Sequence, residues 1–352
     1  MKNIKNSILI IGHSGYVGSV LVEYLNRKKN LNYKIFGLDT NWYLFNSYLY
    51  KYNKKLPYIS FYYDCRNFRL ESINFIPETI VYLAAVSNDP MGKEFQKATY
   101  EINLEACLRI AKQSKLMGVK KFIFASSCSI YGSSGDSFKK ENDCLQPISD
   151  YAISKVRAEE ALEKLADSKF KIIALRFATA AGMSPNLRLD LVFNDFVANA
   201  VKFNRIELLS RGDSWRPLIH VDDMAKAIYW AHQHYSNKNF LPVNVGSKEW
   251  TFTIIDLAKR ISSIINNSKI IIKNKKVVDK RSYTVDFSLY KKLAPVYFPR
   301  TNIDRSVIEL KNFLLLNKHL LLNFRESKIW SRLSCLRYLI KSNQLNKKLF
   351  WK

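Results

Sequence analysis

Long apolar runs are missing from this chain. No stretch of about eighteen apolar residues occurs, so a membrane-spanning helix is not expected. Cysteine is scarce and poorly arranged for bridging. The five residues, at 65, 107, 128, 144 and 335, are odd in number and include no Cys-x-x-Cys pair. That argues against a disulfide framework and for reduced thiols in a cytoplasmic protein. Histidine is equally sparse, five in all. His232 and His234 stand two apart on a predicted helix and point to different faces, so no metal site is expected. Acid is short as well: 30 Asp and Glu face 56 Lys and Arg, a net charge of +26. Such a balance attracts polyanions. Yet no helix-turn-helix, zinc-finger or aromatic-basic RNA signature is present, and abundant Lys, Asn and Ile point to lysine at ordinary surface positions. Nucleic acid is therefore not expected as a partner. The N-terminus, Met1-Lys-Asn-Ile-Lys-Asn, runs into a short apolar segment, Ser7 to Ile11, with no small-residue cleavage site, so no signal peptide is expected.

What is present is a regular alternation. Strand candidates lie at 7–12, 33–38, 58–62, 80–85, 119–126 and 169–176, with helices at 16–28, 95–117 and 150–166 between them. Continuous apolar strands alternating with helices predict a parallel sheet covered on both faces. No repeat of 20–50 residues occurs, which excludes a solenoid. After Arg176 the alternation loosens into a Gly-Met-Ser-Pro turn and helices at 189–203, 221–235 and 252–266, the last capped by Thr251 or Thr253. The expected fold is α/β: a Rossmann-type doubly wound parallel sheet with a smaller, interrupted C-terminal substrate-binding lobe. Residues 1–176 form the first domain, with 217–245 returning to it, while 177–216 and 246–310 form the lobe. Residues 311–352 are a basic extension with ten basic residues and one acid. Ile329, Leu333, Leu336 and Ile340 fall on one helical stripe there. Such a helix either docks on its own protein, the reading we favour, or touches an anionic membrane peripherally.

Gly12-His-Ser-Gly15-Tyr16-Val17-Gly18 follows the first strand and opens the first helix. The first glycine allows the tight turn, the second lets the backbone approach a pyrophosphate, and the third permits close helix–sheet packing. Asp39 ends the second strand, twenty-one residues after Gly18. A carboxylate there accepts hydrogen bonds from a ribose 2′-hydroxyl and repels a 2′-phosphate, which favours NAD over NADP. Further on, Tyr151-Ala-Ile-Ser-Lys155 places a phenol and an ammonium on one helix face. By itself that pair is as consistent with a solvated surface. Ser126-Ser127 ends the fifth strand, and Tyr151 follows Ser127 by twenty-four residues.

The glycine spacing together with Tyr151 and Lys155 resembles the short-chain dehydrogenase/reductase superfamily. It is most similar to the extended branch that acts on nucleotide-linked sugars, the NAD-dependent nucleotide-sugar epimerases and dehydratases. The resemblance spans roughly residues 5–310. It also rests on Asp64-Cys65, Leu83-Ala84-Ala85-Val86, Asn103, Ser126-Ser127-Cys-Ser-Ile-Tyr-Gly132 and Trp215-Arg-Pro-Leu-Ile-His-Val-Asp-Asp223. It implies that Gly12, Gly15, Tyr16, Val17, Gly18, Asp39, Asp64, Cys65, Leu83, Ala84, Ala85 and Asn103 bind or support NAD, together with Tyr151 and Lys155. Asp64 would bond the adenine, and the two alanines would pass beneath the cofactor.

For catalysis the resemblance implies that Ser127 orients a sugar hydroxyl, Tyr151 takes its proton, and Lys155 binds the nicotinamide ribose and lowers the tyrosine pKa. Nucleotide-sugar 4,6-dehydratases carry an acid and a glutamate where this chain has Cys128 and Ser129, which disfavours dehydration. The expected reaction is therefore epimerisation through a transient keto sugar, like that of UDP-glucose 4-epimerase. A nucleotide-sugar reductase, dehydrogenase or dehydratase of the same superfamily is the alternative, and a non-catalytic NAD-binding scaffold the alternative of another class. On the substrate side, Arg216 and Arg281 resemble a diphosphate clamp, and Asn194 an anchor of the nucleotide pocket. Thr179 stands where many relatives carry asparagine. Ser87, Asn88 and Ser129 are expected at the sugar, although Ser87-Asn88-Asp89-Pro90-Met91 also reads as a plain turn. His220 reads as structural. The partner is a nucleotide-diphosphate sugar, and a homodimer through helices near 95–117 and 150–166 is implied.

Overall fold

The computed structural model describes residues 2–28, 33–43, 57–276, 279 and 281–352. In chain order, β1 (Lys2–Ile11) runs into α1 (Tyr16–Arg27), followed by β2 (Lys34–Asp39), β3 (Ile59–Tyr62) and β4 (Phe75–Tyr82). Helices α2 (Asp89–Glu94), α3 (Gln96–Tyr100) and α4 (Cys107–Met117) lead to β5 (Lys121–Ser127) and β6 (Ser133–Lys139). Then come α5 (Asp150–Leu165), β7 (Lys171–Phe177), β8 (Thr179–Ala181), α6 (Val192–Phe203) and β9 (Arg205–Leu208). They are followed by β10 (Trp215–His220), α7 (Val221–Gln233), β11 (Phe240–Val245), β12 (Thr251–Thr253) and α8 (Ile254–Ile264). The chain ends with β13 (Lys269–Ile272), β14 (Ser282–Val285), α9 (Ser288–Leu293), α10 (Ile303–Leu316) and α11 (Arg332–Lys341).

Seven of these strands form one parallel sheet in the order β11-β7-β5-β4-β1-β2-β3. The chain winds outward from β1 to β3, then returns to lay β4 beside β1. That reversal makes the carboxyl ends of β1 and β4 a topological switch point, where open α/β sheets leave a crevice. Each face of the sheet carries its own core. Ile8 and Ile10 of β1 pack into one, while Leu9 and Ile11 pack into the other. A strand buried on both faces needs a continuous apolar run, and β1 supplies it. β11 returns to the sheet beside β7, and α7 covers α1, with Tyr24 and Tyr229 edge to face at 5.5 Å.

The long helix predicted at 95–117 is broken. Its first part is α3, residues Glu101–Ala106 form a π turn, and only Cys107–Met117 are regular α-helix. The extra residue of a π turn rotates a side chain off the regular spacing. Here it brings Asn103 fully into the protein. Thr253, of the two threonines considered, caps α8 by accepting from the Asp256 amide at 3.2 Å.

The basic extension docks on the protein. Leu336 is fully buried, Leu333 and Ile340 pack beside it on the second core, and Ile329 packs on the first. The stripe offered by the sequence for a membrane is thus covered by the chain itself, a correction to that alternative. Burying it against the core removes the same apolar area from water with no lipid needed. Leu336→Ala should therefore lower the unfolding free energy by about 2–4 kcal/mol in a denaturant titration. Unchanged stability would mean that the helix is not docked.

Candidate functional site

The switch-point crevice opens into a cleft of about 680 Å³. Its floor is the turn after β1. Gly12 adopts φ +93°, and a Cβ there would lie 2.7 Å from the Ala84 nitrogen. Only glycine meets both conditions. Gly15 faces the cleft, with the Gly12 carbonyl oxygen 3.3 Å from where its Cβ would be, so a ligand can approach its backbone. A Cβ on Gly18 would collide with the Gly12 and His13 backbone, which makes this glycine the close helix–strand contact. Asp39 also lines the cleft. It is held by the Ser14 amide at 3.1 Å and the Asn41 amide at 2.8 Å.

Most of the sequence-predicted residues meet on this cleft. Tyr16, Val17, Asp64, Cys65, Leu83, Ala84 and Ala85 line it beside the glycine turn. Ser127, Ser129, Tyr151, Lys155, Ser87, Asn88, Thr179, Arg216 and Arg281 line the rest. Asn103 and Asn194 do not. Asn103 holds Val86 through both its backbone groups, at 2.9 and 3.1 Å, and donates to the Ser154 hydroxyl at 3.1 Å. Asn194 bonds the Gly182 amide at 2.9 Å and the Arg188 carbonyl at 2.7 Å. Both are fully buried, so each shapes the cleft from behind and has no polar atom to offer a ligand. His220 is likewise structural: buried, it caps α7 by accepting from the Asp222 amide at 3.2 Å.

At the chemical centre, β5 ends at Ser127 and the first turn of α5 presents Tyr151. Ser149 caps that helix by accepting from Ala152 and donates to Asp89 at 2.6 Å. The Ser127 hydroxyl lies near enough to the Tyr151 phenol to lower its pKa. Ser129 donates to the same Ser127 oxygen at 2.9 Å. Burial pushes the Tyr151 phenol up to about 12, and Ser127 only partly opposes it. Lys155 does not reverse this. Its ammonium donates to the Ala125 carbonyl at 2.7 Å, lies 5.7 Å from the Tyr151 ring centre, and is itself pulled down to about 8 by burial. Desolvation therefore sets the Tyr151 phenol in this structure, not the lysine from which the lowering was expected. Cys128 is fully buried, directs its thiol to the Arg176 carbonyl at 3.1 Å, and is held protonated by burial.

Charged groups that the sequence reading missed gather at the rim. Arg188 forks onto Asp190 at 2.9 and 3.0 Å and donates to Ser87 at 2.9 Å, while Asn88 donates to Asp190 at 3.3 Å. Arg216 and Arg281 converge on Asp279, each at 2.8 Å, and Arg281 also takes Asp89 at 2.6 Å. Tyr283 also lines the cleft, and burial raises its phenol to about 12. The tail contributes Arg325 and Arg332 to the cleft wall. Arg188-Leu-Asp190 is a visible pair in the sequence, but nothing in its periphery distinguishes it from any exposed Arg-x-Asp.

The depressed Lys155 ammonium carries a signed consequence. Between about pH 8 and 10.5 the unfolded chain holds a proton that the folded chain has lost, so stability from this group rises with pH across that window. Below pH 8 the cost of burying the charge is fully present. Lys155→Met, which removes the buried ammonium from over the Phe124 ring and keeps an unbranched apolar side chain, should therefore stabilise the protein at pH 7 by roughly 1–3 kcal/mol. The gain should vanish above pH 10.5. Denaturant titrations at pH 7 and 11 check this, and equal gains at both would refute it.

Comparison with known proteins agrees with this geometry. An uncharacterised UDP-glucose epimerase, YtcB of Bacillus subtilis, is 26% identical over 231 residues, covering 63% of this chain and 71% of its own. A UDP-glucose 4-epimerase of Mycoplasma genitalium is 26% identical, covering 74% of this chain and 83% of its own. Among solved structures, a UDP-N-acetylglucosamine 4-epimerase from Methanobrevibacter ruminantium in complex with UDP-N-acetylmuramic acid superposes with a TM-score of 0.76 at 21% identity. It covers 90% of this chain and all of its own, a likeness of fold. A reductase and a dehydratase also occur among the matches. Residues 8–246, more than half the chain, match the family model, and the chain belongs to the NAD dependent epimerase/dehydratase family.

Proposed function

We propose that this protein epimerises the sugar of a nucleotide-diphosphate sugar through a transient ketone. One observation carries the reading: Ser127, Tyr151 and Lys155 line one cleft at the switch point, and the two residues that follow Ser127, Cys128 and Ser129, carry no carboxylate. The cleft residues fit NAD. The bare Gly15 backbone suits a pyrophosphate, and Asp39 suits a ribose diol. When bound, NAD supplies the hydride acceptor and donor.

This chain's residues handle the proton. Ser127 accepts or donates a hydrogen bond at the reacting sugar hydroxyl and aligns it with the Tyr151 oxygen. Tyr151 receives the hydroxyl proton as the ketone forms and returns it when the ketone has presented its other face. Because burial raises the phenol, its proton-accepting state would need positive charge nearby, and Arg188 is a cation that already lowers it. Water elimination needs a second carboxylic acid or base, which the buried Cys128 thiol and the Ser129 hydroxyl cannot supply. Asp89, whose charge is felt at Tyr151, is held by Arg281 and Ser149. Arg216 and Arg281 are the diphosphate ligands in this reading. They would release Asp279 and Asp89 in part as phosphate oxygens replace carboxylates.

Tyr151→Phe should retain NAD and lose turnover by about 10³-fold or more. The check is NMR analysis of products after incubation with UDP-, GDP-, dTDP- and CDP-sugars. Full turnover in that variant would overturn the proton path. A net change in cofactor redox state with no epimeric sugar would select a reductase instead.

A further inference from the structure

The last ten residues reach the adenosine end of the cofactor cleft, although the family match stops at residue 246. Leu345 and Trp351 pair as an antiparallel bridge, closing residues 345–351 into a tight hairpin whose Leu345 and Leu349 are fully buried. One side of that hairpin grips the end of β2. The Trp351 indole donates to the carbonyl of Thr40, the residue after Asp39, at 2.7 Å. The other side grips the segment after β3. Arg66 donates to the carbonyls of Lys348 and Leu349 at 2.7 and 2.8 Å, and its guanidinium lies 3.5 Å from the Phe350 ring centre. The same Arg66 forks onto Asp64 at 2.7 and 3.0 Å.

We propose that this hairpin is a brace that fixes the spacing of Asp39 and Asp64, and so sets the affinity of the chain for the adenosine half of NAD. The proposal rests on the reading that this end of the cleft takes adenosine. The sheet alone cannot fix the spacing. β3 is a four-residue edge strand whose sheet partner is β2, so the segment carrying Asp64 is held by the sheet on one side only. Arg109 of α4 holds the residues just after it, through the Cys65 and Arg66 carbonyls, and the tail adds a grip through Arg66 on the outer side. Three Arg66 donors make four hydrogen bonds to the Asp64 carboxylate, so the residue that the hairpin grips also orients that carboxylate. Upstream, α11 secures the same loop after β2. Cys335 donates to the Trp42 carbonyl at 3.3 Å, and Arg332 stacks 4.1 Å from the Tyr43 ring centre. A site whose two grips are pre-set loses less entropy when it closes on its ligand. Trp351 and Arg66 are positioning residues in this scheme, acting through Thr40 and Asp64.

The test uses the full chain, the Trp351→Ala variant and a chain ending at Leu349, titrated calorimetrically with NAD, ADP-ribose and UDP. Both changes should weaken NAD and ADP-ribose by about tenfold, roughly the effect of one lost hydrogen bond, with faster NAD release. UDP affinity should stay the same, a split that general loss of stability would not produce. Equal weakening of NAD and UDP, or unchanged NAD affinity in both variants, overturns the brace while leaving the cofactor assignment in place. If the shortened chain fails to fold, Trp351→Ala decides alone, because its side chain is 44% exposed. A full-length chain with no affinity for NAD or ADP-ribose removes the cofactor assignment, and the brace with it.

Discussion

Everything at the site depends on how closely the turn after β1 approaches the end of β4. Gly12 donates to Leu38 of β2 at 2.7 Å, while Ile11 accepts from both Leu83 and Ala84 at 2.8 and 2.9 Å. Three strand ends are therefore stitched at one point, with no room for a side chain. The same stitch starts α1 at Tyr16, whose hydroxyl donates to the Gly182 carbonyl at 2.5 Å and ties the turn to the segment after β8. A methyl group at Gly12 would have to part β1 from β4, and the cleft floor would shift with it. The crevice is thus a consequence of backbone proximity, and its side chains are arranged around a gap that the strand order had already opened.

Burial then acts against the chemistry it shelters. Desolvation raises Tyr151 and lowers Lys155, so both groups lean toward neutrality when a base and a cation are wanted. A charge entering the cleft is worth more for the same reason, since it acts through little water. The protein tolerates this strain because neighbouring charge is fully paired. Arg176 and Glu159, both buried, meet at 2.7 Å, and Arg176 also donates to Tyr131 at 2.9 Å. The uncompensated pair is at the reacting centre, and its neighbours are satisfied.

The sheet and the groove were legible in the sequence because both follow from local rules. Apolar runs marked the buried strands, and three glycines at fixed spacing marked the turn. The break at Glu101–Ala106 was not legible, because a π turn leaves the apolar pattern of the helix nearly intact while moving Asn103. Asn103 and Asn194 were found as polar residues in the right neighbourhood. That they face the backbone behind the cleft could only be seen in three dimensions. Arg188, Asp190, Asp279 and Tyr283 escaped notice because they sit on or beside irregular segments, where no periodicity reports which way a side chain points.

The basic tail shows the limit of reading charge by composition. Its excess of lysine and arginine suggested a polyanionic surface, but several of its arginines are spent inside the protein. Arg325 bonds Asp195 at 2.7 Å and Glu207 at 3.1 Å, Arg332 bonds the Asn186 side chain at 2.7 Å, and Arg337 forks onto Glu94. Guanidinium forks of this kind fix the direction as well as the position of their partners. The extension is held by two such forks, from Arg325 and Arg337, and by the buried Leu336, so lifting it off would uncover Asp195 and Leu336 together. The charge that looked available for a partner is therefore the means by which the extension stays on the cleft.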